Sequence, residues 1–561
     1  MALVGAGVPV TTQTPAAEAL KLLASDVKNR EVMLANGAAA VLSALLRPPA
    51  AAAVTGHAVG GLQKFVVSDV GRAAVLPAAA DLVSLLSADA APATQRSAAA
   101  ILLELGNSVA ARKAITGAGF PAAAVAVLTP SGDAAAAVSA ATLLSKIAAD
   151  NADSRLAVAA GGCIAPLVAC VGSTNAALQQ HAAETLKHLA SNAASKKTVV
   201  AEGGIAPLAA LLSSSTEAVV VAACDALACL VLSVPEHKLA VKDAGALAPI
   251  AALLKDGVSV RVAAAAAAAV TALTVNCEPT RAEFVRLGLL PHLVRLLKST
   301  DEPLRVQAAA ALGRLAGDRA VRESLVGGEA VASLVAMLDA SASAASQCES
   351  ANTIGWLALV AATATAIVSG GGVPRLIALL QPSVSQSTVQ KAAEALRVLA
   401  ANRPSNQAAI AAAGAVPLLL AQLRGSVATE KVKEFCADAL AMLASSAPIA
   451  VDICRQSALT ILVETMQSKE ADTKKKAAGA LSALASHGEV KSSVDAVGGL
   501  AALNAKIVAA GGTAAVVAAA AAPAVAAVRV GAVGAPRPVC DRARLADCRG
   551  RGGRCGESGG G

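Results

Sequence analysis

Aromatic residues are nearly missing from this sequence of 561 residues, which has no tyrosine, one tryptophan and four phenylalanines. Proteins that bind single-stranded nucleic acid stack its bases on aromatic rings, so this composition argues against that class. Charged residues make up only 15% of the chain, and its net charge of +8 is too dilute for a dedicated nucleic-acid binder. By contrast, 55% of the residues are hydrophobic, which excludes disorder over most of the length. Much of this apolar content is alanine, which favours closely packed helices.

Catalytic and metal-binding patterns are also absent. The sequence contains no Gly-Lys pair, so it has no phosphate-binding P-loop, and neither His-Glu-x-x-His nor Cys-x-x-Cys occurs. Its six histidines are scattered singly, whereas a metal site needs several converging ligands. A Gly-x-Ser-x-Gly match at residues 556–560 lacks the strand and helix that would expose its serine. We therefore predict a protein that is not an enzyme and that binds no cofactor, metal or small-molecule substrate.

Eleven cysteines in a chain of this length do not make a disulfide framework. Eight of them lie inside apolar helical runs and are predicted to be small core residues. No positively charged start leads into an apolar stretch, so a secretory signal is not expected. The predicted location is the cytoplasm, with the nucleus as the alternative.

A phrase of the form Gly-Gly-Ile-x-Pro-Leu-x-x-Leu-Leu recurs along the chain, for example from Gly203 to Leu212 and from Gly370 to Leu380. Its last apolar residue returns in eleven steps of 40 to 43 residues, with a mean of 42. The twelve copies end at Leu46, Leu86, Leu128, Val171, Leu212, Leu254, Leu297, Leu338, Leu380, Leu423, Met466 and Val508. A fixed period of this length is typical of a repeat protein, in which each unit packs on its neighbours.

A second phrase, Ala-Ala-x-x-Leu-x-x-Leu-Ala, stands before each copy of the first, as at residues 182–190 and 392–400. Its apolar residues fall on one stripe of an α-helix. A short amphipathic segment, such as residues 195–201, separates the two phrases. Each unit is therefore predicted to contain a short first helix, a glycine break, a second helix that starts near proline and a longer alanine-rich third helix.

These phrases resemble the armadillo repeat, which has three helices in about 42 residues and a Gly-Gly-Ile-Pro-x-Leu-Val-x-Leu-Leu second helix. The resemblance implies an all-α fold, a right-handed α-solenoid of about eleven 42-residue three-helix repeats whose third helices line a concave groove. It also implies a non-catalytic scaffold or adaptor that captures segments of partner proteins along this groove. We expect the chain to be a monomer.

The predicted domains are an N-terminal extension at residues 1–15, the armadillo solenoid at 16–508, an Ala/Val-rich capping or weakly ordered segment at 509–536, and a disordered basic Gly/Arg tail at 537–561. The copies that end at Leu86 and Met466 lack part of the glycine break, so weaker stacking or a bend is expected there. Residues 507–528 carry no charge and reach the length of a membrane span, but their alanine content and Pro523 argue against one.

In the importin-α branch of the family, an Asn near the end of each third helix binds the backbone of an extended peptide, and a Trp one turn earlier packs against its lysine stems. We call the residues equivalent to this Asn the ladder positions and those one turn earlier the upstream positions. Here the ladder positions run from Leu22 to Ala483 without an Asn, and the upstream positions run from Glu18 to Gly479 without a Trp. A nuclear-import receptor is therefore not expected.

The chemically distinctive residues at these positions are the candidates for partner binding: Lys146, Glu184, His188, Asp225, Arg314, Asn352, Trp356 and Glu394. The basic members would attract acidic segments and the acidic members basic segments, while the alternative is charge scattered over a solvated helix face. Trp356 is the residue type favoured at binding hot spots, and a core tryptophan beside Gly355 is the equally open alternative.

Two other functions are compatible with the resemblance. One is substrate recognition within a ubiquitin-ligase complex, although no U-box is visible in the sequence. The other is a vacuolar-type membrane-associated adaptor, although the sequence starts Met1-Ala2-Leu3 and lacks the Met-Gly signal for myristoylation. Proteins are the expected partners, rather than membranes or nucleic acids.

Overall fold

The structure is a computed structural model, and it describes residues 8–47, 50–129, 133–326 and 329–514. Within these ranges the regular elements are 36 α-helices and three short 3-10 turns, with no strand. The helices are numbered along the chain and fall into three sets of twelve that alternate in order. The third helices are α1 (Val10–Leu23), α4 (Ala52–Phe65), α7 (Pro92–Leu105), α10 (Ala134–Asp150), α13 (Ala176–Leu189), α16 (Glu217–Val231), α19 (Val260–Thr274), α22 (Glu302–Leu315), α25 (Ala344–Leu357), α28 (Gln386–Ala400), α31 (Glu430–Leu443) and α34 (Ala471–Ala485).

The first and second helices fill the intervals between these elements. The first helices are α2 (Val27–Ala35), α5 (Asp69–Val75), α8 (Val109–Gly117), α11 (Ala152–Ala160), α14 (Ala193–Ala201), α17 (Pro235–Asp243), α20 (Glu278–Arg286), α23 (Arg319–Ser324), α26 (Ala361–Ser369), α29 (Pro404–Ala412), α32 (Ala447–Arg455) and α35 (Lys491–Ala496). The second helices are α3 (Ala38–Ala44), α6 (Ala79–Ser84), α9 (Phe120–Ala124), α12 (Ile164–Val171), α15 (Ile205–Ala210), α18 (Leu247–Ala252), α21 (Leu289–Leu296), α24 (Glu329–Ala336), α27 (Gly372–Ala378), α30 (Ala415–Arg424), α33 (Ala458–Thr465) and α36 (Gly499–Ala509).

Eleven complete three-helix repeats therefore run from α2 to α34 in the described chain. A lone third helix, α1, precedes them, and a first and a second helix, α35 and α36, follow them. Each repeat packs on the next in sequence order, so the predicted α-solenoid is confirmed. Helix α1 begins at Val10, which places the start of helical structure before the expected boundary at residue 16. The predicted segment at 509–536 lies outside the described residues from 515 onward, and the predicted tail at 537–561 lies wholly outside them.

Local sequence signals start and stop these helices. Between the first and second helices, the predicted glycine break is a left-handed residue, as at Gly37 (φ 76°), Gly288 (φ 73°) and Gly414 (φ 83°). A Cβ makes this backbone conformation unfavourable, which is why glycine recurs there. Six first helices begin at a side chain that accepts a hydrogen bond from a backbone N–H of the first turn: Asp26, Ser68, Ser108, Asn151, Asn192 and Asp318.

The two copies that were expected to stack weakly behave differently. Around the Leu86 copy, α4 and α7 contact each other less than most neighbouring third helices do, as expected. At the Met466 copy the expected weaker stacking is not found, because α31 and α34 pack as closely as any neighbouring pair. There Ser457 adopts the left-handed conformation (φ 63°) and so takes the place of the missing glycine.

Neighbouring third helices share the most extensive contacts in the fold, as expected for the inner row of a curved stack. Their buried positions are mostly alanine and leucine, and the small alanine side chains allow the helices to approach closely. Hydrogen bonds between repeats join residues about one period apart. The Sγ of Cys163 donates to the carbonyl of Pro121 at 3.0 Å, and the side-chain amide of Gln422 donates to the carbonyl of Leu380 at 2.7 Å.

A row of cationic side chains near the start of the first helices was not foreseen from the sequence. Each donates a hydrogen bond to a backbone carbonyl at or just beyond the C-terminal end of a third helix, where carbonyls lack partners within the helix. This first-helix row consists of Arg30, Arg72, Arg112, Arg155, Lys196, Lys238, Arg281 and Arg322. Its members follow one another at steps of 40 to 43 residues, so their positions show the same period as the second-helix phrase.

The eight cysteines in the described residues are free thiols, and six of them are buried, in agreement with their predicted place in the core. In the same part of the chain, no single helix is long and apolar enough to cross a membrane. Two bent helix pairs reach the required length and composition together, α11 with α12 at 87° and α29 with α30 at 74°.

Candidate functional site

The candidate site is the face formed by the row of third helices, where the ladder and upstream positions lie. The repeat brings equivalent residues of successive third helices next to each other. It therefore places the candidate residues Lys146 to Glu394 along one row rather than in a single cluster. Their roles as partner contacts stay predictions, while their own interactions within the protein are defined below.

One contact recurs along this face. At three places along the row, the residue just before a ladder position contacts the upstream position of the next repeat. Ser145 Oγ donates to Glu184 Oε2 at 3.3 Å, and Lys187 Nζ donates to Asp225 Oδ2 at 2.7 Å. Further along the chain, Arg397 Nε lies 3.7 Å from an Asp438 carboxylate oxygen. The acids at upstream positions thus link one repeat to the one before it.

Glu184 is the most extensively bonded of the candidate acids. Its carboxylate accepts hydrogen bonds from Gln180 at 2.9 Å and from Ser145, and it lies 3.0 Å from His181 Nδ1. Burial alone would favour the neutral acid, but the hydrogen bonds from His181, Gln180 and Ser145 outweigh it and lower the pKa of Glu184. Glu184 is therefore a fixed carboxylate at neutral pH, with its acceptor sites largely filled by its own protein.

The acids at the C-terminal end of the row are buried, which differs from the alternative of a solvated charged face. Glu394 is only 3% exposed and accepts from Lys391 Nζ at 3.2 Å, one turn earlier on α28. Asp438 is 8% exposed and accepts from Lys476 Nζ at 2.9 Å in addition to its contact with Arg397. Buried carboxylates require such partners, because an unpaired charge in the interior is costly.

The candidate bases Lys146 and His188 are half-buried. Lys146 Nζ donates to Asn107 Oδ1 at 3.1 Å, and Asn107 in turn donates to Glu104 at 3.3 Å. Burial and the nearby charges of Lys187 and Arg155 lower the pKa of His188, despite the opposing effect of Glu184. His188 is therefore mainly neutral at neutral pH and attracts acidic segments less than its position in the sequence suggests.

Arg314 and Trp356 occupy consecutive ladder positions on α22 and α25, and both side chains are half-buried. The Nε of Arg314 is buried and forms no hydrogen bond within the described chain. Trp356 is half-buried and packs against the core, and its role as a binding residue stays a prediction. Asn352, one turn before Trp356, is 7% exposed and belongs to the interior.

Glycine precedes both of these ladder residues. A Cβ on Gly313 would lie 2.6 Å from Thr353 Oγ1 of the next third helix and 3.5 Å from Asn352 Nδ2, so only glycine allows this approach. A Cβ on Gly355 would meet Ala395 at 3.6 Å. At these two repeats no side chain can make the recurring contact to the next upstream position. Arg314 and Trp356 therefore lie at two repeats where this contact to the next third helix is missing.

The sequence interpretation missed the cations that pair with the acids at upstream positions, including Asp438: Lys187, Lys391, Arg397 and Lys476. Lys187 and Arg397 could have been found from their spacing to the acid at the next upstream position. Lys187 precedes Asp225 by 38 residues, and Arg397 precedes Asp438 by 41. Such an offset is close to one period, as expected for neighbouring residues on adjacent third helices.

A second concave feature, a recess, lies outside the third-helix face. This recess of about 500 Å³ is lined by Leu290, Val294 and Arg295 of α21, by Leu325 after α23 and by Glu329 of α24. Lys298 forms an ion pair with Glu329 at 3.1 Å beside it. No group of three or more His, Cys, Asp or Glu residues in the described ranges is arranged to hold a metal ion.

Comparison with known proteins agrees with this architecture. The family model described as Armadillo/beta-catenin-like repeat matches residues 277–317, which contain α20, α21 and α22. No curated protein matches the chain. Among solved structures, an engineered protein from the Northeast Structural Genomics Consortium is similar, with 30% sequence identity and a TM-score of 0.64. That similarity covers 72% of this chain and 98% of the engineered one. Together with the 42-residue period and the stacked three-helix repeats, these matches show that the chain belongs to the armadillo-repeat family.

Proposed function

We propose that this protein is a non-catalytic scaffold that captures a segment of a partner protein on the third-helix face, centred on Arg314 and Trp356. The observation that carries the proposal is the pairing of an unbonded guanidinium nitrogen with a partly exposed indole at consecutive ladder positions. Arg30, Arg281, Arg322 and Arg397 also have a buried, unbonded Nε, so what distinguishes Arg314 is its place beside Trp356 on the third-helix face.

The chemistry of this pair defines the segment that it would bind. A guanidinium binds carboxylates and carbonyl oxygens, and an indole buries apolar side chains with little loss of conformational entropy. The partner segment is therefore one that carries a carboxylate next to a bulky apolar residue. The candidate acids Glu184, Asp225 and Glu394 contribute less to partner binding, because cations or hydroxyls of this protein already bond to them.

A peptide-selection experiment tests this function. Peptides displayed on phage are selected on the wild-type chain and then measured against Arg314→Glu and Trp356→Ala variants by fluorescence anisotropy. The matched control is Lys64→Glu, which reverses a charge at an exposed ladder position far from the proposed centre. Circular dichroism first establishes that each variant is folded.

The expected result is a set of acidic and apolar peptides whose affinity falls at least tenfold in each of the two central variants and is unchanged in the control. One hot-spot side chain commonly contributes about 2 kcal/mol or more to binding, which corresponds to a loss of this size. Peptides that bind the wild type and both central variants equally would place partner binding elsewhere on the solenoid and overturn the proposal.

A further inference from the structure

Glu349 is an acid of the third-helix face whose carboxylate is not bonded within the described chain. It is half-buried on α25, and its Oε2 is buried without a hydrogen bond from any described residue. The other buried and unbonded side-chain atoms in the described ranges are five arginine Nε atoms and one threonine hydroxyl, so Glu349 is the only acid in this group. A carboxylate oxygen that is buried without a donor is unfavourable in the free protein.

Glu349 lies on the same stripe of α25 as the proposed binding residue Trp356. It stands one turn before Asn352, which stands one turn before Trp356, so the three residues follow one another along one side of the helix. Seven residues of α-helix rise by about 10 Å. Glu349 is therefore displaced from Trp356 by about this distance along the helix.

The place of Glu349, seven residues before the ladder position, is occupied by lysine in two later third helices. Lys391 Nζ donates to Glu394 at 3.2 Å on α28, and Lys476 Nζ on α34 donates to Asp438 on α31 at 2.9 Å. Both lysines thus bond to acids at upstream positions. Glu349 is the one acid among the twelve residues at this place, and the upstream residue of its own helix is an asparagine.

The neighbouring third helices do not supply a cation for Glu349. Lys391 occupies the equivalent place on α28, but its ammonium bonds to Glu394 of its own helix. On the other side, α22 has the neutral Gln307 at this place. No cation of the described chain bonds to the Glu349 carboxylate, so it is free to pair with a cation from another molecule.

We propose that Glu349 binds a lysine or arginine side chain of the partner segment. This inference rests on the proposed function, because it adds a third residue to the site formed by Arg314 and Trp356. The occupant is argued from charge complementarity, since a half-buried and unpaired carboxylate attracts a cation and repels an acid. The partner segment then carries a carboxylate for Arg314, a bulky apolar residue for Trp356 and a cation for Glu349.

The separation along α25 restricts where this cation stands in the partner sequence. An extended chain advances by about 3.3 Å per residue, so a separation of about 10 Å corresponds to about three residues. The long side chains of lysine and arginine shorten the backbone distance that is needed. We therefore expect the cation within three residues of the apolar residue.

A set of synthetic peptides tests the proposal. Each peptide is acetylated and amidated at its ends and has adjacent glutamate and leucine residues at its centre. One of the three positions on either side is set to lysine, glutamine or glutamate, and the remaining positions are alanine or serine. Fluorescence anisotropy measures binding to the full-length wild type and to Glu349→Gln and Glu349→Lys. The matched control is Glu18→Gln, since Glu18 is an exposed acid at the upstream position of α1, far along the chain from α25.

We expect one position at which the wild type and the control bind the lysine peptide about fivefold more tightly than the glutamine peptide. The glutamate peptide should bind more weakly still. Glu349→Gln should abolish the preference for lysine, and Glu349→Lys should reverse it in favour of glutamate. A reversed preference would also show that the variant is folded.

Equal binding of the three peptides at every position by the wild type would overturn the inference, as would a preference for lysine that persists in Glu349→Gln. If affinity still falls in Arg314→Glu and Trp356→Ala, the proposed function stands and only the role of Glu349 is wrong. If no peptide binds the wild type, or if binding is the same in the Arg314 and Trp356 variants, both are overturned.

Thermal unfolding of the free protein provides a second test. Because no cation of the described chain bonds to Glu349, Glu349→Gln should leave the unfolding midpoint unchanged or raise it. Glu394→Gln, which weakens the bond to Lys391, should lower the midpoint. A midpoint that falls as far in Glu349→Gln as in Glu394→Gln would show that Glu349 serves the fold and would contradict the proposal.

Discussion

Lys187 on α13 donates a 2.7 Å hydrogen bond to Asp225 on α16, and this contact joins a residue before a ladder position to the upstream position of the next repeat. The same relationship joins Ser145 to Glu184 and Arg397 to Asp438. Side-chain links of this kind add specific contacts to the apolar packing between repeats.

The link between Lys187 and Asp225 should be measurable by a double-mutant cycle with Lys187→Met and Asp225→Asn. Both side chains are about one-third exposed, so we expect a coupling free energy of about 0.5–1 kcal/mol. The measurement is the free energy of unfolding of the wild type, both single variants and the double variant in urea. Strictly additive losses would show that the contact contributes nothing to stability.

Replacement of Arg112 by alanine should destabilise the protein by about 3 kcal/mol, because it leaves the carboxylate of Asp150, which is only 11% exposed, without its partner. Arg112 bonds to both carboxylate oxygens of Asp150, at 2.7 and 2.5 Å, and to the carbonyl of Gly106 at 2.8 Å. The control is Arg319→Ala, which removes an exposed pair with Glu323 and should leave the stability nearly unchanged, because solvent screens this pair. Urea unfolding of both variants checks this contrast, and similar losses in the two would contradict it.

Substitution of Ser457 by glycine should stabilise the chain by about 1 kcal/mol. Ser457 holds φ at 63° where other repeats have glycine, and a left-handed residue with a Cβ carries a penalty of this size. Ser457→Ala serves as the control, since it keeps the Cβ and should bring no gain. The thermal unfolding midpoint is the measurement, and a midpoint for the glycine variant at or below the wild type would refute the assignment.

Glu184 should contribute stability that disappears at acidic pH. Its pKa in the folded chain is below the ordinary value of 4.5, so the unfolded chain binds its proton first as the pH falls. The contribution is complete above the ordinary pKa and is lost as the pH decreases through the lowered one. We therefore expect Glu184→Gln to be less stable than the wild type at pH 7, with the difference shrinking as the pH approaches about 3. Urea midpoints across this range provide the test, and a difference independent of pH would exclude the mechanism.

Much of the fold follows from the sequence because the signals are local and repeated. Gly288 and Gly414 mark the break before a second helix, and both have the left-handed conformation that the pattern predicts. The Met466 copy was misjudged because Ser457 can adopt the same conformation at a cost that packing with the neighbouring repeats offsets.

The interactions on the third-helix face were less predictable from the sequence. Glu394 was expected to face a partner, but it is buried and bonded to Lys391. Its burial depends on how closely neighbouring third helices approach, which periodicity alone does not specify. Arg314 and Trp356 were identified at their ladder positions, whereas the role of Gly313 in allowing the close approach of α25 is shown only by the distance to Thr353.

The hydrogen bonds that join equivalent residues one period apart have a consequence for how such a chain can change its length. Cys163 bonds to Pro121 and Gln422 bonds to Leu380, and each pair is separated by 42 residues. A duplication or loss of one whole period between equivalent points would set each donor opposite an acceptor of the same kind. An insertion of half a period would leave both without partners. Gene duplication and recombination can therefore lengthen or shorten this protein by whole repeats while preserving the bonds between neighbours.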